Sequence, residues 1–248
     1  MSLAALDPFF RLLPQAFLDL GWQPSPEQIE QLGQLYQEIC LSNQHLNLTR
    51  ITEPQAFVEK HLWDSLSGIL LSEPLRAYPQ AKLIDVGTGA GFPGLPLALW
   101  APPWQVTVLD ATRKKINFIQ GLLPKMGLTN VQALAERTEV MGQDPRQREQ
   151  YDIAVIRAVA ETSVCAEYLL PLLKVGGWAV LYRGQWTTAE AQALEAIGPQ
   201  LGGILKIIRP LKTPWTGGER HLIYLQKENP TPTHFPRPVG IPRQTPLT

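Results

Sequence analysis

Leu83-Ile84-Asp85-Val86-Gly87-Thr88-Gly89-Ala90-Gly91-Phe92-Pro93-Gly94 runs an apolar strand straight into a turn with glycine at alternate positions. Lys82–Val86 reads as a buried strand, and a helix is expected from about Gly94. Glycine lets the backbone take positive φ and lets a ligand approach the main chain. A turn at the carboxyl end of a strand is where open α/β sheets bind ligands. Working outward, Gln105–Leu109 is a second strand, ending in Asp110. A helix follows from Arg113 to about Met126, stopped by Gly127, and then a weak strand at Val131–Leu134. Ile153–Ile156 is a fourth strand and Ser163–Leu173 a helix, ending at Lys174-Val175-Gly176-Gly177. Trp178–Tyr182, Gly203–Ile208 and His221–Gln226 are further strand candidates, with a helix at Thr188–Ile197. Strands alternating with helices imply a mostly parallel sheet covered on both faces.

The flanks differ in texture. Residues 1–80 read as a helical extension, 81–226 as the α/β domain, and 227–248 as an extended, partly mobile, proline-rich basic tail. Ser25-Pro26-Glu27-Gln28 is a helix start with the elements of a capping box, and Thr52-Glu53-Pro54-Gln55 is another. The 248 residues carry 22 Lys plus Arg and 22 Asp plus Glu, so no globally basic nucleic-acid binder is indicated, although a local basic patch is compatible. At 44% hydrophobic and 18% charged residues the chain can bury a core. No apolar run reaches the roughly 18 residues that span a bilayer, and Met1–Gly21 lacks the features of a signal peptide. Cys40 and Cys165 are far apart, which points to a reducing compartment and against a disulfide or zinc framework. The four histidines are scattered, so no metal centre is expected.

The glycine turn has competing readings. Gly89-Ala90-Gly91-Phe92-Pro93-Gly94 fits the dinucleotide fingerprint, with Asp110 at a suitable distance to hold a ribose. Asp85-x-Gly87-x-Gly89-x-Gly91 resembles the first motif of class I S-adenosylmethionine (AdoMet) methyltransferases, where the acidic residue serves the methionine moiety or its ordered waters. A turn without a ligand is the third reading. Three features favour AdoMet. Pro93 and Pro96 remove amide donors that a pyrophosphate needs at a helix N-terminus. Asp85 suits a cationic ligand and would repel pyrophosphate. The last two strand candidates resemble the terminal hairpin of class I methyltransferases.

Nearly the whole chain resembles the ribosomal RNA small subunit methyltransferase G (glucose-inhibited division protein B) family. The resemblance is carried by Asn47-Leu48-Thr49, His61-Leu62-Trp63-Asp64-Ser65-Leu66 and the glycine turn. It continues in Lys114-Lys115, Arg137-Thr138-Glu139, Arg157-Ala158, Lys174-Val175-Gly176-Gly177, His221-Leu222 and the tail His234-Phe235-Pro236-Arg237. It implies a Rossmann-like α/β fold with a seven-stranded, mostly parallel sheet and a terminal hairpin. It also implies methyl transfer from AdoMet to N7 of a guanine in 16S small-subunit ribosomal RNA. By the same resemblance Gly87 and Phe92 flank the methionine end, and Asp110, Ala111 and Thr112 serve ribose and adenine. Thr138 and Glu139 edge the adenine, and Arg157 follows the fourth strand. With Asp85, Gly89 and Gly91 from the motif, these form the expected cofactor set. The implied partner is ribosomal RNA or the 30S subunit, for a monomeric cytoplasmic enzyme without metal.

Each residue has a plainer role beside this one. Asp110 would otherwise cap the next helix. Arg157 would pair with Asp152 or Glu161. His61 and Asp64 make an incomplete metal site and read better as a polar network docking their helix on the domain. Asn47 and Thr49 suit either a helix cap or the substrate side. Lys114, Lys115, Arg220 and Arg237 are expected to touch RNA phosphates at the pocket mouth, or else to form a solvated surface. No residue is expected to act as a general base. A methyltransferase of another substrate class and a non-catalytic ribosome-associated RNA-binding module are the alternatives.

Overall fold

The computed structural model describes residues 3–248. Five strands are parallel: β1 (Lys82–Val86), β2 (Gln105–Asp110), β3 (Val131–Ala135), β4 (Tyr151–Arg157) and β5 (Leu173–Arg183). β6 (Gly203–Lys212) and β7 (Glu219–Lys227) form an antiparallel hairpin, with β7 inserted between β5 and β6. The order is β3-β2-β1-β4-β5-β7-β6. The chain steps outward from β1 to β3 and then returns to β4 on the other side of β1. That reversal opens a crevice at the carboxyl ends of β1 and β4, beside the glycine turn.

In chain order the helices before the sheet are α1 (Leu3–Ala16), α2 (Pro26–Leu46), α3 (Pro54–Phe57), α4 (Asp64–Leu70) and α5 (Glu73–Arg76). Those within and after it are α6 (Gly94–Trp100), α7 (Arg113–Leu122), α8 (Thr138–Gln143), α9 (Thr162–Leu169), α10 (Thr188–Ile197) and α11 (Ile241–Gln244). Successive strand residues face opposite ways. Leu83, Ile153 and Val155 join α1, α2, α4, α6 and α7 in one core. Ile84, Ala154 and Ile156 join α9 and α10 in the other.

The N-terminal helices share their core with the sheet. Phe9 and Leu13 of α1 are fully buried, and Phe9 stacks on Tyr36 with centroids 4.4 Å apart. The expected capping box holds: Gln28 N donates to Ser25 Oγ at 3.2 Å and Ser25 N to Gln28 Oε1 at 2.9 Å. Tyr182 and Tyr224, from β5 and β7, donate to the carbonyls of Ser65 and Gly68 in α4 at 2.8 and 3.0 Å.

Several boundaries move, among them the end of the helix expected from Arg113 to about Met126, which stops at Leu122. The helix expected up to Leu173 ends at Leu169 and tightens into the 3-10 turn Leu170–Leu172, which contains Pro171. β5 then starts at Leu173, pairing with Tyr151 before a register shift. β6 runs past Ile208 to Lys212 because Pro210 lies on an edge strand, where a missing amide breaks no ladder.

The tail departs from the expected extended, partly mobile segment by packing on the domain. Arg148 donates to the carbonyls of Gly142, Thr231 and Phe235. The fully buried Lys227 ammonium reaches Leu170 O and Thr231 Oγ1. Phe235 is buried, and the chain ends in α11. The polar stretch 143–150 thus supplies the arginine that fastens the tail.

Candidate functional site

The turn after β1 is held from inside the protein. Gly87 N and Thr88 N both donate to Leu109 O of β2, at 2.8 and 2.9 Å. Asp85 is fully buried, and its Oδ2 accepts Thr88 Oγ1 at 2.6 Å and Gly94 N at 2.7 Å. A Cβ at Gly94 would collide with Val108 and Asp85, so glycine is required there. Asp85 therefore organises the turn from beneath and does not line the cleft above it, which corrects its expected place among direct cofactor contacts. Gly91 N and Phe92 N donate to Thr88 O, and Gly89 N donates to Asp110 Oδ2 at 3.0 Å. With these amides already committed, the turn offers no cradle for a pyrophosphate.

Burial raises the Asp85 carboxyl from 3.8 to about 7, against the pull of the hydrogen bonds from Thr88 and Gly94. The folded chain then holds a proton that the unfolded chain has lost, so stability falls as pH rises from about 4 to about 7. Asp85→Asn should flatten that decline relative to wild type in denaturant unfolding measured across this range. Parallel pH profiles for the two proteins would refute the protonated carboxyl.

Above the turn lies a cleft of about 290 Å³. It brings together Gly87, Asp110, Ala111, Thr112, Thr138 and Glu139 of the expected cofactor set. Asp110 does not cap α7, whose N-cap is Thr112. Its Oδ1 accepts Thr112 N at 2.8 Å and its Oδ2 accepts Gly89 N, so the carboxylate is fixed by two amides. Each oxygen keeps a lone pair, which suits two hydroxyls of a ribose diol. Glu139 is more committed, since its Oε1 accepts Tyr168 Oη at 3.2 Å and Gly240 N at 3.0 Å.

The donor set fits AdoMet. A fixed carboxylate meets the diol, and no phosphate cradle is present.

Phe92 and Arg157 belong to a second cluster, on the side of the N-terminal helices. Phe92 is 4% exposed and stacks on His61 at 4.5 Å with planes 7° apart. The Arg157 guanidinium lies 5.6 Å from the Phe92 centroid. Arg157 donates to Asp64 Oδ2 at 3.0 Å and to Lys60 O at 2.9 Å. Lys60 lies in the π-helical stretch Val58–Trp63 between α3 and α4, whose wider turn changes which carbonyls are spent on the helix. Arg157 thus pairs with Asp64, not with Asp152 or Glu161. Asp152 is taken by Lys174 at 2.6 Å. His61 Nδ1 faces the Arg157 donor at 3.4 Å, which assigns the proton to Nε2 and its bond to Thr49 Oγ1 at 2.8 Å. Burial, with the Arg157 charge, pushes His61 down to about 3, so its ring is neutral. The docking network expected of His61 and Asp64 is present, and Thr49 belongs to it. Asn47 instead caps α2 in a left-handed conformation.

The basic residues divide. Lys114 is exposed, as a phosphate contact needs to be. Lys115 lines the cleft with its ammonium 3.8 Å from Asp110, so it lies among the cofactor groups. Arg220 donates to Asp64 Oδ1 at 2.9 Å. Arg237 grips the buried Glu167 carboxylate through Nε and Nη2 at 3.0 and 2.7 Å. Buried carboxylates need a counter-charge, so folding claims both arginines that were expected to face RNA. Arg113 and Arg137 are exposed and in no ion pair among the described residues. The cleft also contains Arg137, Val159, Tyr168 and Arg243, which were not assigned to the cofactor. Tyr168 reads as core from helical spacing, and nothing local to Arg243 signals its position.

Residues 28–222 match the family described as GidB, rRNA small subunit methyltransferase G. A Trichormus variabilis protein named ribosomal RNA small subunit methyltransferase G is 53% identical over 92% of this chain and 94% of its own length. One of the same name from Synechococcus elongatus is 53% identical over 92% of this chain and 93% of its own length. Among solved structures, TYW2 from M. jannaschii in complex with AdoMet aligns with a TM-score of 0.53 at 16% identity, covering 73% of this chain and 79% of that one. A branched-chain polyamine synthase mutein from Thermus thermophilus aligns with a TM-score of 0.55 at 14% identity, covering 68% and 56%. These two share the fold. The sequence match over most of the chain, joined to a glycine turn that presents a fixed carboxylate, places this protein in the rRNA small subunit methyltransferase G family.

Proposed function

We propose that the protein transfers a methyl group from AdoMet to N7 of a guanine in 16S small-subunit ribosomal RNA. The observation that carries this is the Asp110 carboxylate, fixed over the glycine turn in a chain of this family. AdoMet, when bound, supplies an electrophilic methyl group. Asp110 accepts the ribose hydroxyls, Gly87 lets the ligand approach the main chain, and Thr112 and Thr138 border the nucleoside end. Guanine N7 carries an in-plane lone pair and loses no proton on alkylation, so the chain need not provide a general base. Its contribution is proximity and orientation, which in favourable cases supply about 7–11 kcal/mol. The guanine reaches the cleft unpaired or flipped.

The RNA partner, free or within the 30S subunit, is proposed to be met by a monomer. A cytoplasmic setting, where ribosomal subunits are built, fits this role. No helix among the described residues is long and apolar enough to cross a membrane, and no group of three metal-ligating side chains occurs among them. The test is methyl transfer from labelled AdoMet to 16S RNA and 30S subunits from a strain lacking the gene. Labelled 7-methylguanosine is the expected product. Label on another base or on protein would overturn the reading.

Lys114, with Arg113, is the basic group available for phosphates outside the cofactor cleft. Each contact removed should reduce the log–log salt slope of RNA binding by about 0.7, the value for single strands. Arg113→Gln and Lys114→Gln should therefore flatten the salt dependence while AdoMet affinity stays near wild type. Arg237→Gln should leave the slope unchanged and instead lower stability, through Glu167. A flattened slope in Arg237→Gln with stability intact would reverse this assignment.

A further inference from the structure

We propose that Arg243, delivered by the C-terminal tail, is a positioning residue for the cofactor that holds Val159 in place over Gly87. This inference rests on the AdoMet reading above. Residues 158–161 leave β4 and cross the turn. Ala158 sits at φ 55°, a conformation that a residue with a Cβ adopts only when its surroundings enforce it. Val159 then lies so close to Gly87 that a Cβ at Gly87 would collide with Val159 Cγ2. Gly87 has φ 73°, so glycine is required there twice over.

Two guanidinium groups hold this segment. Arg183 of β5 donates to Ala160 O at 2.8 Å from within the domain. Arg243 Nη2 donates to Val159 O at 2.9 Å from the tail. The tail reaches that point through two anchors. Arg237 is clamped on Glu167, and Gly240 N donates to Glu139 Oε1, with Gly240 at φ 86° turning the chain into α11. Arg243 and Val159 line the same cleft as Asp110 and Thr138. The tail lies outside the family match at residues 28–222, yet it sets the height of the cleft at its glycine end. The carbonyl that Arg243 engages belongs to the residue covering Gly87, so losing the bond frees the cover while leaving the core untouched.

The test is calorimetric titration of AdoMet and of 5′-methylthioadenosine, which lacks the amino-acid arm, into full-length wild type, Arg243→Ala, Arg243→Lys and Asp110→Ala. Arg243→Ala should bind both ligands about tenfold more weakly, the scale of one charge-assisted hydrogen bond. Arg243→Lys should recover most of the affinity, because an ammonium can still donate to Val159 O. In steady state the KM for AdoMet should rise in Arg243→Ala while kcat at saturation stays near wild type. Arg243 is exposed, so its thermal midpoint should not move. Equal affinity of wild type and Arg243→Ala overturns the inference. So does a loss for AdoMet alone, which would mean direct contact of the cation with the amino-acid arm. A wild type that binds neither ligand removes the cofactor reading itself, whereas binding lost in Asp110→Ala but not in Arg243→Ala removes only the role of the tail.

Discussion

Asp110→Ala is expected to bind AdoMet at least about a hundredfold more weakly than wild type. Hydrogen bonds to a charged group are each worth about 1.5–3 kcal/mol, and a diol lost from a carboxylate forfeits two of them. About 1.4 kcal/mol corresponds to a factor of ten in affinity. The carboxylate is held before any ligand arrives, by Gly89 N on one oxygen and Thr112 N on the other. Little ordering cost offsets the loss, because the geometry is fixed by the turn and by the start of α7. Asp110→Asn should fall between the two, since an amide retains only one acceptor oxygen. Calorimetry with AdoMet reads the effect directly. Unchanged affinity in Asp110→Ala would take this residue out of the site and leave the glycine turn without its defining partner.

Asp64→Ala should be the most destabilising of the substitutions considered, at about 3–5 kcal/mol, the cost of removing one partner from a buried ion pair. The Asp64 side chain is 7% exposed and serves two cations, Arg157 from β4 and Arg220 from β7. Without it, both guanidinium groups face each other across a largely dry joint. Arg157 also supports the His61–Phe92 stack, so the damage should spread to the seat of the N-terminal helices. At about 2–4 °C per kcal/mol for a chain of this size, the thermal midpoint should fall by roughly 10 °C. Glu228→Ala is the control, since it removes a partly exposed pair with Lys206 and should cost less than about 1 kcal/mol. Equal midpoints for the two variants would show that Asp64 is not the centre of a structural joint.

The linear chain determined the frame. Alternating apolar runs and helical periods set the strand order in sequence, and Pro26 and Pro54 mark helix starts that occur as read. The alternate glycines set the turn after β1, and Asp110 at the end of β2 follows from a strand and its length. These are local properties, in which backbone conformation and side-chain periodicity are written within a few residues. What only the tertiary structure decided is which charges remain available. Arg220 is claimed by a carboxylate 156 residues away and Arg237 by one 70 residues away. Burial of Asp64 and Glu167, which creates their demand for a counter-charge, exists only once the helices have packed. The same holds for Asp85, which sequence places beside the ligand and packing places beneath the turn. It holds also for Arg243, whose position over the cleft depends on anchors at Glu167 and Glu139 that no nearby residue encodes. Local pattern specifies elements, whereas the fate of an ionisable group depends on the solvent it loses and the partner it gains, and both are set by contacts distant in sequence.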